Sequence, residues 1–301
     1  MEANKKKIGT AALLATTLIW ASSFIILKKT LDTIPVMWVL ALRFTGAAAI
    51  LALFSLPRRR EIDRTCLWYG VSMGVILAAA YILQTFGLRY TTPGKNAFLT
   101  STYCVLVPFL CWAIYKKRPD GYNITAALLC IVGMALASLN GDLSLGLGDG
   151  LTMLCGAFYA LQIIITDKAV HDRSVLHLSM IQFTAAAVVC WVGVAFSGPF
   201  PAGAPAEAWW SVVYMCVMCT CICFVLQAFG QRYTSPSTAS IILTLESVFG
   251  TILSMIFYHE RISLRTAAGF VLIFAAVLLS ETKLSFLKKP SAPLTPERVT
   301  D

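Results

Sequence analysis

The sequence predicts an all-α polytopic membrane protein, with ten transmembrane helices arranged as two inverted five-helix repeats. Three observations predict it. First, 58% of the 301 residues are hydrophobic and only 13% are charged, with a mean hydropathy of +0.75. A soluble domain carries about 25% charged residues, so this chain could not cover a water-exposed globule. Second, the apolar residues fall in ten runs. Each is close to the roughly 20 residues that a bilayer core about 30 Å thick demands of a helix. Third, the chain repeats itself at a nearly constant offset.

The first run, Ile8–Leu27, follows Lys5, Lys6 and Lys7. It is long for the apolar part of a signal peptide, and nine more runs follow, so it reads as a span. Next come Ile34–Leu56, Cys66–Leu88, Asn96–Ile114 and Gly121–Leu139. The second set is Leu147–Thr166, Val175–Phe196, Ala208–Phe229, Pro236–Tyr258 and Leu264–Leu284. The connecting loops are short and rich in turn residues, as in Thr92-Pro93-Gly94, Asn140-Gly141-Asp142 and Gly198-Pro199. None is long enough for a soluble domain, which excludes an enzyme domain outside the membrane.

The net charge of +9 is not a nucleic-acid signal, because the basic residues alternate between the two faces. Seventeen lie on the side of the N-terminus, among them Arg58, Arg59, Arg60, Lys288 and Lys289, and six on the other. The positive-inside rule puts both termini in the cytoplasm of a cell (inner or plasma) membrane. Residues 290–301 are polar and proline-rich and read as a disordered cytoplasmic tail.

The repeat carries the functional argument. Gln84 to Pro93 reads QTFGLRYTTP, and Gln227 to Pro236 reads QAFGQRYTSP, identical at seven of ten positions with an offset of 143. At 139, Arg43-Phe44-Thr45 meets Gln182-Phe183-Thr184, Trp20-Ala21 meets Tyr159-Ala160, and Lys29 meets Lys168. Residues 1–145 and 146–289 are thus two copies. Five spans is an odd number, so the second copy enters the membrane upside-down. Alternating access to a midplane site is the known use of that geometry.

Two ionisable side chains sit near mid-span, where an isolated charge costs about 2.5–3.5 kcal/mol or more. Arg43 and Glu246 lie about 13 and 18 Å from the outer face at 1.5 Å per residue. They are expected to pair, and the pair either binds a zwitterionic substrate or gates it. The structural alternative is a fixed bridge between the repeats. Burial and a guanidinium act in opposite senses on a carboxyl group, which makes Glu246 the candidate protonation switch. Polar faces recur around this pair. They include Trp20 and Ser23 in the first helix, Asn96, Thr100 and Tyr103 in the fourth, and Tyr159 and Gln162 in the sixth. Gln84 and Gln227 match each other, Gln182 is the mate of Arg43, and Tyr103 is the mate of Glu246. These residues are expected to wall a cavity; the alternative is that they glue helix to helix.

Other features read as structural. Cys216, Cys219 and Cys223 share one face of one helix, which cannot wrap a metal ion. Gly70 and Gly74 mark close helix packing. Lys95 snorkels or attracts an anion at the mouth, and His177 sits at the interface.

Text of the WAS type in helix one, ALRFTGA in helix two, the RYTTP and RYTSP turns and LESVFGTILSMIFYHERIS in helix nine resemble the EamA-type branch of the drug/metabolite transporter superfamily. The resemblance spans the chain. It implies a carrier of small metabolites, often an exporter of amino acids or related compounds. Two departures stand out. The family often has proline after the ninth-helix glutamate, and here Ser247 follows Glu246. It also often ends the fourth helix in glutamate, where this chain has Lys117 against Glu260 in the ninth.

The sequence therefore reads as a secondary transporter of a small polar or amphipathic metabolite. It has no phosphate loop, no catalytic motif and no cofactor signature, so no enzyme activity is expected. Its partners are the substrate and the lipid bilayer, with no nucleic acid, and it works as a monomer or homodimer. A non-transporting scaffold or sensor would instead pack its polar faces with no cavity. An intramembrane enzyme would need a metal triad or a nucleophile–base pair.

Overall fold

A computed structural model describes residues 2–55, 62–116, 118–138, 146–258 and 264–283. Among these residues every regular element is a helix. The chain begins with α1 (Glu2–Thr30), α2 (Val36–Ser55) and α3 (Arg64–Tyr90). The next crossing is split into α4 (Pro93–Thr100) and α5 (Tyr103–Tyr115), and α6 (Gly121–Ser138) follows. Then come α7 (Leu147–Val170) and α8 (Val175–Val194). One crossing of three pieces follows: α9 (Ala206–Tyr214), a π-helical stretch (Met215–Ile222) and α10 (Cys223–Gln231). The last crossings are α11 (Pro236–Leu243) with α12 (Leu245–Tyr258), and α13 (Leu264–Thr282).

Eight crossings are long and apolar enough to span a membrane. At the other two expected positions α6 and α13 hold shorter apolar stretches, Gly121–Gly133 and Ala267–Ser280. The arginines at 58–60, the turn at 140–142, Lys117, His259, Glu260, Lys288, Lys289 and the tail 290–301 lie outside the described residues.

The fourth, eighth and ninth spans are not the unbroken helices that the sequence suggested. Proline at the first position and a Thr92 or Ser235 cap start α4 and α11 cleanly. Both helices then stop after eight residues at hydroxyl-rich text. Ser101 Oγ donates to Ala97 O (3.0 Å), Thr102 Oγ1 to Leu99 O (2.7 Å) and Ser247 Oγ to Thr244 O (2.7 Å). Such bonds compete with the helix ladder for the same carbonyls.

Small residues set the closest approaches. A β-carbon on Gly74 would meet the Gln182 carbonyl oxygen at 2.3 Å, and one on Gly70 would meet Ile181 Cβ at 2.6 Å. The expected glycine-spaced seam is therefore where α3 crosses α8. The α1 helix packs on α10, α11 and α12, α2 on α8, and α6 on α13.

Ion pairs clamp the helix ends. Lys95 neither snorkels nor stands open to a ligand: its Nζ is 2.7 Å from Asp149 Oδ2. The Asp149 carboxylate also accepts from Thr91 Oγ1 (3.0 Å) and the Gly146 amide (2.9 Å), tying the start of α4 to the start of α7. His177 is buried, with Nε2 3.1 Å from the Ser55 carbonyl at the end of α2. At the other membrane face Lys283 bonds Asp120. Burial works against the Asp120 charge, but Lys283 and the Asn123 and Tyr122 amides outweigh it and hold the carboxyl below its usual range. A depressed carboxyl contributes stability above its unfolded-chain pKa and loses it as pH falls through the folded value. Asp120→Asn is expected to flatten the acid side of a plot of Tm against pH, measured between about pH 7 and the unfolded-chain value near 3.9 and below.

Candidate functional site

A narrow crevice with a volume of about 30 Å³ lies among α1, α3, α7, α10 and the split fourth and ninth crossings. The α1 helix contributes Trp20, Ser23 and Phe24, and α3 contributes Tyr81 and Gln84. Thr100 ends α4 and Tyr103 begins α5. From α7 come Tyr159, Gln162 and Ile163, and from α10 comes Gln227. Leu243 ends α11, and Glu246 lies in the first turn of α12. A helix N-terminus favours negative charge there.

Nine of the twelve residues singled out from sequence line this crevice: Trp20, Ser23, Gln84, Thr100, Tyr103, Tyr159, Gln162, Gln227 and Glu246. Three do not. Asn96 is buried behind Gln84, donating to its carbonyl (3.2 Å) and to Thr152 Oγ1 (2.8 Å). Gln182 is buried on α8, and its Nε2 has no hydrogen-bond partner.

The third is Arg43, and the expected Arg43–Glu246 pair is absent. Arg43 Nε donates to Thr220 Oγ1 (2.8 Å), Nη2 lies 3.5 Å from Tyr81 Oη, and the guanidinium sits 4.5 Å from the Tyr81 ring centroid. Glu246 Oε1 instead accepts from Tyr103 Oη at 3.1 Å. Between the two charges stand three tyrosines, with ring centroids 5.7 Å apart for Tyr81–Tyr159 and 6.5 Å for Tyr103–Tyr159. Depths within one helical turn of each other did not bring the two side chains together, because Tyr81 occupies the space in front of the guanidinium.

The π stretch explains the partner that Arg43 does have. The Cys223 amide bonds Met218 O, five residues back, and not Cys219 O. The Cys219 carbonyl then receives Trp20 Nε1 (2.8 Å), which fixes the indole at the crevice wall. Within the same stretch Thr220 Oγ1 donates to Met215 O (2.8 Å) and accepts from Arg43. A hydrogen bond to a charged group is worth about 1.5–3 kcal/mol. Thr220→Val is expected to destabilise the protein by about that much, read as a lower midpoint of thermal unfolding in detergent.

Two amide networks brace the crevice. Tyr159 Oη donates to Gln84 Oε1 (2.9 Å), and Gln84 Nε2 to Thr100 Oγ1 (3.1 Å). Gln227 Nε2 donates to Gln162 Oε1 (3.2 Å) and to Gln231 Oε1 (3.1 Å), while Gln231 Nε2 donates to Ile163 O (2.8 Å). Sequence reasoning missed four lining residues, Phe24, Ile163, Leu243 and Tyr81, of which only Tyr81 carries a polar group. Its signal was its place three residues before Gln84, on the same helical face. Among the described residues no group of three His, Cys, Asp or Glu side chains is placed to hold a metal ion.

Comparison with known proteins agrees with this architecture. The EamA-like transporter family matches the chain twice, over residues 7–139 and 146–282. An uncharacterized transporter of Archaeoglobus fulgidus is 29% identical over 287 residues, covering 92% of this chain and 87% of that protein. An uncharacterized transporter of Bacillus subtilis, YoaV, is 22% identical over 280 residues, covering 89% and 94%. One solved crystal structure superposes with a TM-score of 0.77 at 14% identity, covering 93% of this chain and 99% of that one, a likeness of fold. The chain belongs to the EamA-like transporter family.

Proposed function

We propose that the protein is a secondary transporter that carries a small polar or amphipathic metabolite across the cell membrane by alternating access between two inverted five-helix repeats. The observation that carries this reading is the make-up of the crevice. Trp20 and Tyr159, Ser23 and Gln162, and Phe24 and Ile163 are each 139 residues apart, and all six line it. Gln84 and Gln227, Thr100 and Leu243, and Tyr103 and Glu246 are each 143 apart, and they line it too. Equivalent positions of both halves therefore converge on one space, as a shared central site requires. Helix packing follows the same exchange: α3 meets α7 as α10 meets α1, while α2 meets α8 and α6 meets α13. The crevice itself favours a carrier over a scaffold, whose polar faces would close on each other.

The excess of basic residues on the N-terminal side supports cytoplasmic termini. Export of an amino acid or related compound is the direction and cargo that the family resemblance implies. Glu246 is the proposed protonation switch, because its carboxylate faces the crevice with one hydrogen-bond donor for two oxygens. The test is flux of a panel of labelled metabolites in liposomes containing the purified chain, together with tags on both ends. Saturable movement of one solute, with both tags on one face, is expected. Tags on opposite faces, or no movement of any solute, would overturn the reading.

A further inference from the structure

The crevice has a carboxylate and an unpartnered amide oxygen in its wall and no cationic side chain. Trp20 Nε1 is spent on Cys219 O and Ser23 Oγ on Trp20 O. Tyr159 donates to Gln84, Tyr103 to Glu246, and Gln162 Nε2 to Thr166 Oγ1. Every lining hydroxyl and indole N–H other than that of Tyr81 thus has an acceptor within the protein, and Tyr81 Oη is turned to Arg43, while Gln84 Nε2 and Gln162 Nε2 have one acceptor each for two N–H groups.

The acceptor side is different. Gln231 Nε2 donates to a backbone carbonyl, which fixes its Oε1 toward Gln227. Gln227 must therefore point its amide nitrogen at Gln231, and its Oε1 is left buried with no partner. Glu246 has one donor for its whole carboxylate. No lysine or arginine is among the lining side chains, since Arg43 is screened by Tyr81. The remaining walls are mostly aromatic, the rings of Trp20, Phe24, Tyr81, Tyr103 and Tyr159, with Ile163 and Leu243 beside them. Aromatic faces attract cations and repel anions.

We propose that this crevice takes an organic cation, a protonated amine or quaternary ammonium on a flat apolar body, with the charged head shared between Glu246 and Gln227 and the body against the aromatic rings. This narrows the transport reading, and it rests on that reading's placing of the site. A zwitterionic amino acid would bring a carboxylate to a space with no cationic side chain to neutralise it, beside the Glu246 carboxylate. Burying a charge without an opposite partner is costly.

Four probes of one shape decide it: 2-phenylethylamine, phenylalanine, 3-phenylpropionate and 2-phenylethanol. Each is bound at neutral pH to the full chain in lipid nanodiscs. The amine is expected to bind at least tenfold tighter than the other three. Glu246→Gln is expected to bring the amine down to the level of the alcohol and to leave the alcohol unchanged. Equal or tighter binding of the zwitterion or the acid, or no binding of the amine, overturns the proposal. The ligand series is measured on the unaltered protein, so it decides the matter even where the variant fails to fold. A protein that binds the amine but moves no solute in liposomes would sink the transport reading and leave this one standing.

Discussion

Gly74→Leu is expected to yield no folded protein, and Gly74→Ala to lower the thermal midpoint by several degrees. Even the single β-carbon of alanine would sit 2.3 Å from the Gln182 carbonyl oxygen and 2.6 Å from Ala185 Cβ. The first obstacle is backbone, so no rotamer change relieves it, and α3 and α8 must separate. Overpacking of a tight core costs about 1–3 kcal/mol for modest insertions and more where backbone must move. The seam adjoins the cluster of Met73, Leu178 and Ile181, and its loosening removes that packing with it. Gly150→Ala is the matched control, because nothing lies within 4 Å of the new carbon and alanine is the better helix former. Size-exclusion chromatography and thermal unfolding in detergent read all three variants. A Gly74→Leu protein that elutes and melts like the parent would remove the close-packed seam from the account.

Glu246→Gln is expected to abolish flux, by at least tenfold, while leaving the protein folded. Glutamine keeps the volume and offers the Tyr103 hydroxyl a carbonyl oxygen in place of the carboxylate that it meets at 3.1 Å. What disappears is the carboxyl group that faces the crevice, the site at which a proton could be taken up. The side chain is 4% exposed, so solvent does not make good its loss. Liposome flux measured across a pH range checks both parts. Unaltered flux with an unaltered pH profile would show that Glu246 neither binds cargo nor switches.

The helical fold and most of the crevice wall were legible in the sequence, because both rest on local text that recurs. Trp20 and Tyr159, or Gln84 and Gln227, are polar or amphipathic residues at matching places in two apolar halves, and lipid would reject the amides. Arg43 shows what such reading misses. Depth along a helix follows from residue counting, but the direction of a long side chain depends on its neighbours. Nothing in Met215 to Ile222 announces a five-residue hydrogen-bond register, since the stretch has neither proline nor glycine. That register supplies the Thr220 hydroxyl and thereby draws Arg43 away from Glu246. Tyr81 escaped notice for a related reason: it reads as one more core aromatic until Gln84 and Arg43 are seen on either side of it. The breaks at Ser101–Thr102 and Thr244 also left only a weak trace, since serine and threonine occur throughout these spans without breaking them.

The bond between Lys95 and Asp149 has no counterpart in the other half. The residues at the corresponding offsets are Thr238 for Lys95, Thr10 for Asp149 and Thr234 for Thr91, none of them charged. In a carrier whose halves trade places, the α4–α7 contact would hold an ionic latch that the matching α11–α1 contact lacks. The empty protein would then rest unequally between its two poses. Flux would start faster from one side than from the other, as in a valve with a weighted flap, and high salt would lighten the flap.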